Sequence, residues 1–328
     1  MKKIMVLLFA LLWGGLLPVN ATIYYVKPSG NNLSEGTSWE NAFRDPGKAL
    51  MVAKEDDEIR IAGGNYQPEA GQSYIVSYRI TILGGFKGTG NNPDERNPYL
   101  YPTILKGNLT SIMLIDADVN INGCSFLDGG KNPDHNPANS IYGGGIRINT
   151  GNAMIRECNF ENCMAGYGGA IYIHNANVTI EECGFYHNYA TVGGAVCSHN
   201  TKPYLLTIGK SILNENKTFS YGGAIDNTGD FLIYNTQVRG NRSGDRGGAF
   251  NINEGTCSLY NCLITGNRAD TFGGAIYIGK CDSIEFVNVT LSCNYANIKV
   301  GGILLLHGSA KFTNSILWGN KHTGNHLP

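Results

Sequence analysis

The sequence predicts an all-β protein of the right-handed, single-stranded parallel β-helix class, with a short N-terminal capping helix. Three observations predict it. A Gly-Gly pair recurs seven times at steps of 25 to 29 residues, alternating apolar residues follow the pairs, and no segment inside the repeats has helical periodicity. The pairs begin at Gly143, Gly168, Gly193, Gly222, Gly247, Gly273 and Gly301. One such repeat cannot bury its own apolar face, so successive repeats must stack into parallel sheets with strands about 4.8 Å apart.

Residues 1–21 are predicted to be a signal peptide. Two lysines precede an apolar run from Ile4 to Leu17, and small residues end at Ala21, near which we expect cleavage. The run is shorter than the roughly 18 apolar residues of a membrane-spanning helix. We therefore expect no transmembrane span in the mature chain, which would be secreted or held at the outer-membrane surface.

Residues 22–110 are predicted to form an N-terminal cap and the first coil. "TIYYV" is typical of a strand, and a short helix is expected to begin near Pro46. Strands follow in "EIRIAGGNY", "SYRITILGGF" and "TILKGN". A helix across the open end of a solenoid would protect its exposed strand edges.

Residues 111–328 are predicted to be the β-helix repeats, each with three short strands and three turns. After each Gly-Gly corner, the first strand is expected to point two alternating residues inward. These pairs are Ile146/Ile148, Ile171/Ile173, Val196/Ser198, Ile225/Asn227, Phe250/Ile252, Ile276/Ile278 and Leu304/Leu306. An asparagine recurs after the third strand, where its tolerance of the left-handed region suits a turn. It is found at Asn188, Asn216, Asn241, Asn267, Asn294 and Asn320.

The last repeat ends just after a strand, without a capping element. Solenoids need terminal caps for solubility. We therefore expect a fragment, a truncated product, or a missing C-terminal domain or partner that covers the last coil.

The nine cysteines are best explained by the repeat. Cys124, Cys158, Cys183 and Cys262 share one interior position, which other repeats fill with Ser, Thr or Val. Cysteine there acts as a small buried apolar residue. A disulfide between adjacent coils, such as Cys158–Cys183, remains an alternative because the strand spacing permits it. The absence of any Cys-x-x-Cys pair gives no support for a zinc site.

The repeat motifs resemble a known group of proteins. "GGAI" followed by "FYHN", "ITGN" or "LWGN" resembles the repeats of chlamydial polymorphic outer-membrane proteins. The N-terminal segment is similar to the start of secreted right-handed β-helix proteins of Bacteroidetes, which are similar in fold to pectate lyases. The resemblance implies a secreted or surface β-helix of the kind found in adhesins and passenger domains.

A candidate site follows from the outward positions of the first strand in each repeat. One column reads Arg147, Tyr172, Cys197, Asp226, Asn251, Tyr277 and Leu305. A second column reads Asn149, His174, His199, Thr228, Asn253, Gly279 and His307. Neighbours within a column lie about 5 Å apart. We therefore expect Arg147, Tyr172, His174, His199 and Asp226 to form one exposed patch, with the 127–142 loop above it.

The patch predicts binding of a polysaccharide or of a host or surface glycoprotein, in an adhesin-like role without catalysis. Tyrosine would support a sugar ring, while arginine and histidine would bind carboxylates. With 25 basic and 26 acidic residues, the chain gives no indication of nucleic-acid binding. An alternative is that these are ordinary solvated surface residues.

The other alternative is a polysaccharide lyase or glycoside hydrolase acting on an acidic polysaccharide. A hydrolase needs two suitably separated acids, and a calcium-dependent lyase needs clustered acids. Asp116, Asp118, Asp128 and Asp134 form no convincing cluster in the sequence. We therefore assign no catalytic residue, metal ligand or cofactor, and calcium enters only with the lyase alternative.

Overall fold

The structure, a computed structural model, describes residues 21–131 and 141–323. These residues contain one short helix and 37 strands in four parallel sheets. The predicted signal peptide lies outside the described residues, apart from Ala21. Within the described part of the chain, no helix is long and apolar enough to cross a membrane.

Each full coil visits the four sheets in a fixed order, and we number the sheets from the Gly-Gly corner. Sheet 1 comprises Tyr74–Val76, Met113–Ile115, Ile146–Ile148, Ile171–His174, Val196–His199, Ile225–Thr228, Phe250–Ile252, Ile276–Lys280 and Ile303–His307. Sheet 2 comprises Ile23–Val26, Glu58–Ala62, Ile80–Phe86, Val119–Asn122, Asn152–Arg156, Asn177–Glu181, Leu205–Gly209, Asp230–Tyr234, Thr256–Tyr260, Ser283–Val287 and Ala310–Thr313. Sheet 3 comprises Gly64–Tyr66, Thr103–Lys106, Cys124–Leu127, Asn159–Glu161, Gly184–Tyr186, Ile212–Asn214, Gln237–Arg239, Leu263–Thr265, Thr290–Ser292 and Ile316–Trp318. Sheet 4 comprises Met164–Tyr167, Tyr189–Val192, Lys217–Thr218, Arg242–Ser243, Arg268–Ala269, Tyr295–Ala296 and Lys321–His322.

The predicted parallel β-helix is confirmed. In sheet 1, Ile146 pairs with Ile171, which pairs in turn with Val196 on the next coil. Equivalent positions of the other repeats are matched in the same way, so that each interior side chain stacks on its counterpart. Phe126, Phe160 and Phe185 show this most clearly, with ring centroids 4.8 and 4.9 Å apart. These distances equal the spacing of parallel strands.

Sheet 4 departs from the prediction of three strands per repeat. Its strands are two to four residues long, as in Lys217–Thr218 and Arg242–Ser243. So short a strand cannot show the alternation by which strands are recognised in a sequence. The turn expected at the recurring asparagine is therefore a corner followed by a fourth strand.

The prediction that the recurring asparagines adopt the left-handed conformation is wrong. That conformation belongs to the residue before each one, such as Glu215 with φ 55° and Gly240 with φ 64°. Asn216 and Asn241 themselves are buried. The Asn216 amide nitrogen and backbone nitrogen both donate to Asn241 Oδ1, each at 2.9 Å. The asparagines thus form an interior ladder that satisfies buried backbone groups at the corner.

The interior position predicted for Cys124, Cys158, Cys183 and Cys262 is confirmed, since all four are buried. All nine cysteines of the chain are free thiols in the structure. Burial raises the pKa of Cys183 well above its ordinary value, with the neighbouring Cys158 as a second cause. A protonated thiol in such a setting packs as a small apolar side chain.

The helix expected near Pro46 is present as α1, Pro46–Val52. Asp45 is its N-cap, and Asp45 Oδ1 accepts a hydrogen bond of 2.9 Å from the Gly47 backbone nitrogen. Proline at the first helical position fits because its missing N–H would have no partner there. Ala49 is buried in the same core as Val26 and Tyr74. The helix therefore packs against the first strands of sheets 1 and 2.

The register predicted for the last repeat is wrong by one residue. Ile276 pairs with Ile303 and Tyr277 with Leu304, so Ile303 and Leu305 point inward. Leu306 is 49% exposed, although Leu304 and Leu306 were expected to be the inward pair. The reason lies at Val300, which has φ 57° and takes the corner position that the first glycine holds in the other repeats.

Candidate functional site

The candidate site lies on the outer face of sheet 1. Strand pairing places six side chains side by side along the solenoid, and we call them the floor column. The floor column consists of Arg147, Tyr172, Cys197, Asp226, Asn251 and Tyr277. A second column, two residues further along each strand, brings His174 beside His199 and His199 beside Thr228. The five residues of the predicted patch therefore lie on neighbouring strands of one face.

A row of side chains that precede the Gly-Gly corners borders the floor column. This wall column consists of Tyr142, Tyr167, Val192, Tyr221, Arg246, Phe272 and Lys299. It is held in register because each first glycine donates its N–H to the wall residue of the next coil. The Gly143 bond to the Tyr167 carbonyl oxygen is 2.8 Å, and the Gly168 bond to the Val192 carbonyl oxygen is 2.9 Å.

The expectation that the floor column is exposed is wrong for most of it. Tyr172 is 7% exposed and Asp226 only 2% exposed, and Cys197 and Asn251 are fully buried. The wall column was not recognised in the sequence. Its residue types vary, and its residues precede the recurring glycines instead of following them. Three residues of the predicted patch remain accessible: Arg147 is half-buried, His174 is exposed, and the His199 side chain is 39% exposed.

The floor, second and wall columns together line what we call the groove, and its upper part is the end nearer the N-terminal coils. Aromatic rings and one arginine form this upper part. Tyr142 stacks on Tyr167 with centroids 5.2 Å apart and planes within 9°. Tyr172 and His199 meet both the wall and each other edge to face, with their centroids 5.6 Å apart. The Arg147 guanidinium lies 5.1 Å from the Tyr142 ring centre. Its Nε donates to Asn149 Oδ1 at 2.7 Å, which fixes its direction.

The lower part of the groove is closed by Arg246. Its guanidinium carbon lies 4.3 Å from the Tyr221 ring centre and 4.5 Å from that of Tyr277. A cation between two aromatic faces is well stabilised there. Arg246 thus holds Tyr221 and Tyr277 together and covers this end of the floor column.

Three potential ligand atoms converge between these two parts. Cys197 Sγ lies 3.5 Å from His199 Nε2 and 4.0 Å from Asp226 Oδ2. His199 Nε2 lies 4.0 Å from Asp226 Oδ2. The sequence prediction included His199 and Asp226 but omitted Cys197. The sequence does contain a signal for including Cys197. Cys197 and His199 lie two residues apart in one predicted strand, and residues i and i+2 of a strand point to the same side.

Burial sets the protonation of this group. It raises the pKa of Asp226 to about 6, although hydrogen bonds from Asn251 and Asn253 oppose the rise. Burial also raises the pKa of the Cys197 thiol well above its ordinary value, with a further contribution from the Asp226 charge. The pKa of His199 is lowered by burial and by the nearby His174. At neutral pH we therefore expect a protonated thiol and an uncharged imidazole.

The three residues do not form a nucleophilic triad. In such a triad, the acid binds the imidazole nitrogen that does not face the nucleophile. Here Asp226 and Cys197 both face His199 Nε2, while Nδ1 lies 3.4 Å from the Tyr172 hydroxyl. A reactive cysteine also needs a lowered thiol pKa, and that of Cys197 is raised.

The other acids considered in the sequence lie apart from this group. Asp116 accepts a 2.8 Å bond from Asn149, and Asp118 binds the backbone nitrogen of Asn152, so both tie corners between coils. Asp128 pairs with Lys131 at 3.3 Å. Asp134 and most of the 127–142 loop lie outside the described residues.

A cavity of about 640 Å³ lies elsewhere, between α1 and the first strand of sheet 1. Lys48, Met51 and Tyr78 are among the residues that line it. None of the five predicted site residues borders this cavity. We place the candidate site in the groove because titratable side chains converge there.

The sequence matches two known families. A family described as "Protein of unknown function (DUF1565)" matches residues 28–269. The Chlamydia polymorphic membrane protein repeat matches residues 261–279. Among curated proteins, none matches the chain. The first match covers most of the chain, whereas the second covers a single repeat and agrees with the repeat motifs noted in the sequence.

Two solved structures match the chain. One is named "Rhamnogalacturonan lyase" and matches with a TM-score of 0.50 at 15% identity, over 90% of this chain and 87% of that one. The other is named "The complex structure of XylC with xylose" and matches with a TM-score of 0.40 at 11% identity, over 90% of this chain and 76% of that one. At 15% identity, the first match shows a shared fold alone. The resemblance to secreted Bacteroidetes proteins stays a prediction.

Proposed function

The chain belongs to the DUF1565 family of right-handed β-helix proteins, and from its groove we propose that it is an exported protein that binds an acidic polysaccharide without cleaving it. The binding surface consists of Arg147 from the floor column, the histidines of the second column and the upper wall of the groove. Arg147, His174, His199 and Tyr167 are its central residues.

One observation carries the proposal: a directed cation lies beside partly exposed rings on a face whose positions repeat from coil to coil. Arg147 uses its Nε to bind Asn149, and its two terminal nitrogens make no hydrogen bond or ion pair within the described residues. A guanidinium group can bind a carboxylate through two parallel N–H bonds. Tyr167 and His199 lie within 5.7 Å of each other, centre to centre, and offer apolar surface and hydrogen-bonding atoms for a sugar ring.

The geometry of the solenoid favours a polymer over a small ligand. Equivalent positions recur about every 4.8 Å along the axis. An extended polysaccharide lying along this axis would therefore meet Arg147, the Tyr172–His174 strand and His199 on three successive coils. The groove is open at its side, since His174 is exposed.

Cleavage is not expected, because the acid in the groove is not available to a substrate. Asp226 is almost fully buried and accepts a hydrogen bond from Asn251 Nδ2. A lyase or hydrolase remains the alternative, and the fold shared with a rhamnogalacturonan lyase is compatible with it. Detection of cleavage products would decide for that alternative.

Export and a surface location are part of the same proposal. They are supported by the match of residues 261–279 to a Chlamydia polymorphic membrane protein repeat. The predicted signal peptide at residues 1–21 points the same way. Fractionation of cells that express the full chain, with sequencing of the mature N-terminus, tests this part separately.

Binding is tested by calorimetric titration of the mature protein with a galacturonate oligomer and with a neutral glucose oligomer of equal length. We expect binding of the acidic oligomer only, and weaker binding at higher salt because exposed charges are screened. Arg147→Gln and Tyr167→Ala should each weaken binding at least about tenfold, or roughly 1.4 kcal/mol.

Matched controls lie on other faces. Arg156 is an exposed arginine on sheet 2, and Tyr99 is 93% exposed near the N-terminal end. Arg156→Gln and Tyr99→Ala should bind like the unaltered protein. Equal affinity in all four variants would refute the proposed surface.

A further inference from the structure

We propose that Cys197, His199 and Asp226 form a binding site for one divalent transition-metal ion of the zinc class. This proposal goes beyond the proposed polysaccharide binding, and the two share only His199. The other two ligands, Cys197 and Asp226, are buried in the centre of the groove, whereas the remaining sugar-binding residues lie at its accessible edge.

The distances between the three atoms suit a tetrahedral ion. With metal bonds of about 2.3 Å to sulfur and about 2.0 Å to nitrogen and oxygen, ligand atoms lie roughly 3.3–3.6 Å apart. The observed separations are 3.5 Å for sulfur to nitrogen, and 4.0 Å for each of these atoms to the Asp226 oxygen. A movement of about half an ångström by the carboxylate would complete this side of the tetrahedron.

The fold fixes the three ligands before any ion arrives. Cys197 and His199 lie two residues apart on one strand, and Asp226 pairs directly with Cys197 on the next strand. All three side chains therefore leave the sheet on the same side. The partly exposed His199 leaves access from solvent, so a fourth position would be open to water, as in catalytic zinc sites.

Neighbouring side chains contact one polar atom of His199 and one of Asp226. The other polar atom of each residue therefore faces the centre of the site. The Tyr172 hydroxyl lies 3.4 Å from His199 Nδ1, which leaves Nε2 facing the centre. Asn251 Nδ2 binds Asp226 Oδ1, which leaves Oδ2 facing the centre. Partners of this kind around a metal's ligands orient them and set their basicity.

A bound cation would also balance the charge of the buried Asp226 carboxylate. Asp226 is almost fully buried, yet within the described chain no lysine or arginine makes an ion pair with it. Buried carboxylates are normally paired with a cation or bound to a metal. Asn251 Oδ1, one strand further along, is also buried without a hydrogen-bond partner. The mixed sulfur, nitrogen and oxygen set favours zinc and its neighbours over calcium or magnesium.

The test uses the untagged mature protein, stripped with a chelator and titrated with Zn²⁺ alone and with Co²⁺ alone. We expect one Zn²⁺ per chain and, with Co²⁺, a thiolate-to-metal charge-transfer band. Cys197→Ser should abolish the band, and His199→Gln should weaken binding more than about 100-fold, since loss of an outer partner alone costs about 10- to 100-fold. His199 is partly exposed, so its variant remains informative if Cys197→Ser fails to fold.

Two variants control for adventitious binding. Cys293 is the exposed cysteine, and the exposed His187 lies 3.5 Å from Glu215. Cys293→Ser and His187→Ala should leave Zn²⁺ affinity unchanged. The proposal is overturned by substoichiometric binding, by a Co²⁺ complex without the thiolate band, or by affinities that follow the control substitutions instead.

Discussion

Asn241 shows, at the scale of the residue, what spacing reveals and what it conceals. The recurrence of asparagine once per coil is visible in the sequence, and it predicts a turn at this position. A turn asparagine and a buried amide ladder give the same periodic pattern. Only the contacts separate them: Asn241 is fully buried, and the left-handed residue is the neighbouring Gly240.

The ladder makes a strong prediction for Asn241→Ala. The Asn241 side chain accepts two hydrogen bonds from Asn216 and donates to the Leu213 carbonyl oxygen and to Asn267 Oδ1. Alanine would leave a buried backbone N–H and a buried carbonyl group unsatisfied. We expect the free energy of unfolding to fall by about 3 kcal/mol or more, as measured by urea denaturation.

Asn177→Ala is the matched control. Asn177 also bridges coils, through Asn152 and the Leu205 backbone nitrogen, but it is exposed and water can replace these bonds. The loss should be at most about 1 kcal/mol. Equal losses for the two variants would show that the interior ladder does not stabilise the fold as described.

Cys197 marks the limit of prediction for the site at this scale. The columns of outward residues correctly placed Tyr172, His199 and Asp226 beside one another. Cys197 lies in the same column, but the predicted patch does not include it. Its role depends on distances between side-chain atoms, which spacing alone does not contain.

At the scale of the element, alternation within a strand predicted direction but not burial. The outward residues of sheet 1 were identified correctly in six of the seven repeats. Their burial depends on the wall column, whose members range from Tyr167 to Val192 to Arg246. A position filled by such different side chains has no recognisable pattern, so its covering effect could not be predicted.

The last strand of sheet 1 carries a prediction of its own. Val300 occupies a left-handed corner at φ 57°, where the other six repeats have glycine at φ 62° to 67°. This conformation costs a residue with a side chain roughly 1–2 kcal/mol. We expect Val300→Gly to stabilise the last coil by about 1 kcal/mol, measured as slower hydrogen exchange in Ile303–His307.

Gly273→Val is the reciprocal test at the preceding corner. A Cβ there would lie 2.5 Å from the Ile276 carbonyl oxygen, in addition to the unfavourable φ of 62°. We expect faster exchange in Ile276–Lys280. No change in either variant would contradict the account of the corner and of the shifted register.

At the scale of the whole molecule, the fold was predictable because it is a repeat. Every repeat contributes the same signal. A register predicted wrongly in one copy, such as the last, therefore does not change the fold that is predicted. What the repeat could not predict is where a single copy is modified, as at the Val300 corner. Stability in such a stack comes from contacts between neighbouring coils.

Two phenylalanines of the interior test this dependence on neighbours. Phe160 is fully buried and stacks on Phe126 and on Phe185. Phe312 stacks on Phe286 and is 44% exposed. We expect Phe160→Ala to lower the free energy of unfolding by about 3–5 kcal/mol, and Phe312→Ala to have a much smaller effect, both measured by denaturation. A larger loss of stability for Phe312→Ala than for Phe160→Ala would contradict the view that an interior ring is stabilised by its neighbours on both sides.

The central claim is that recognition takes place on the outer face of sheet 1. The most direct test is a crystal structure of the mature protein with a bound galacturonate oligomer. The account predicts a sugar chain along the groove, with a carboxylate bound to Arg147 and a ring against Tyr167 beside His174. An oligomer bound to sheet 2 or sheet 3, or in the cavity beside α1, would contradict it.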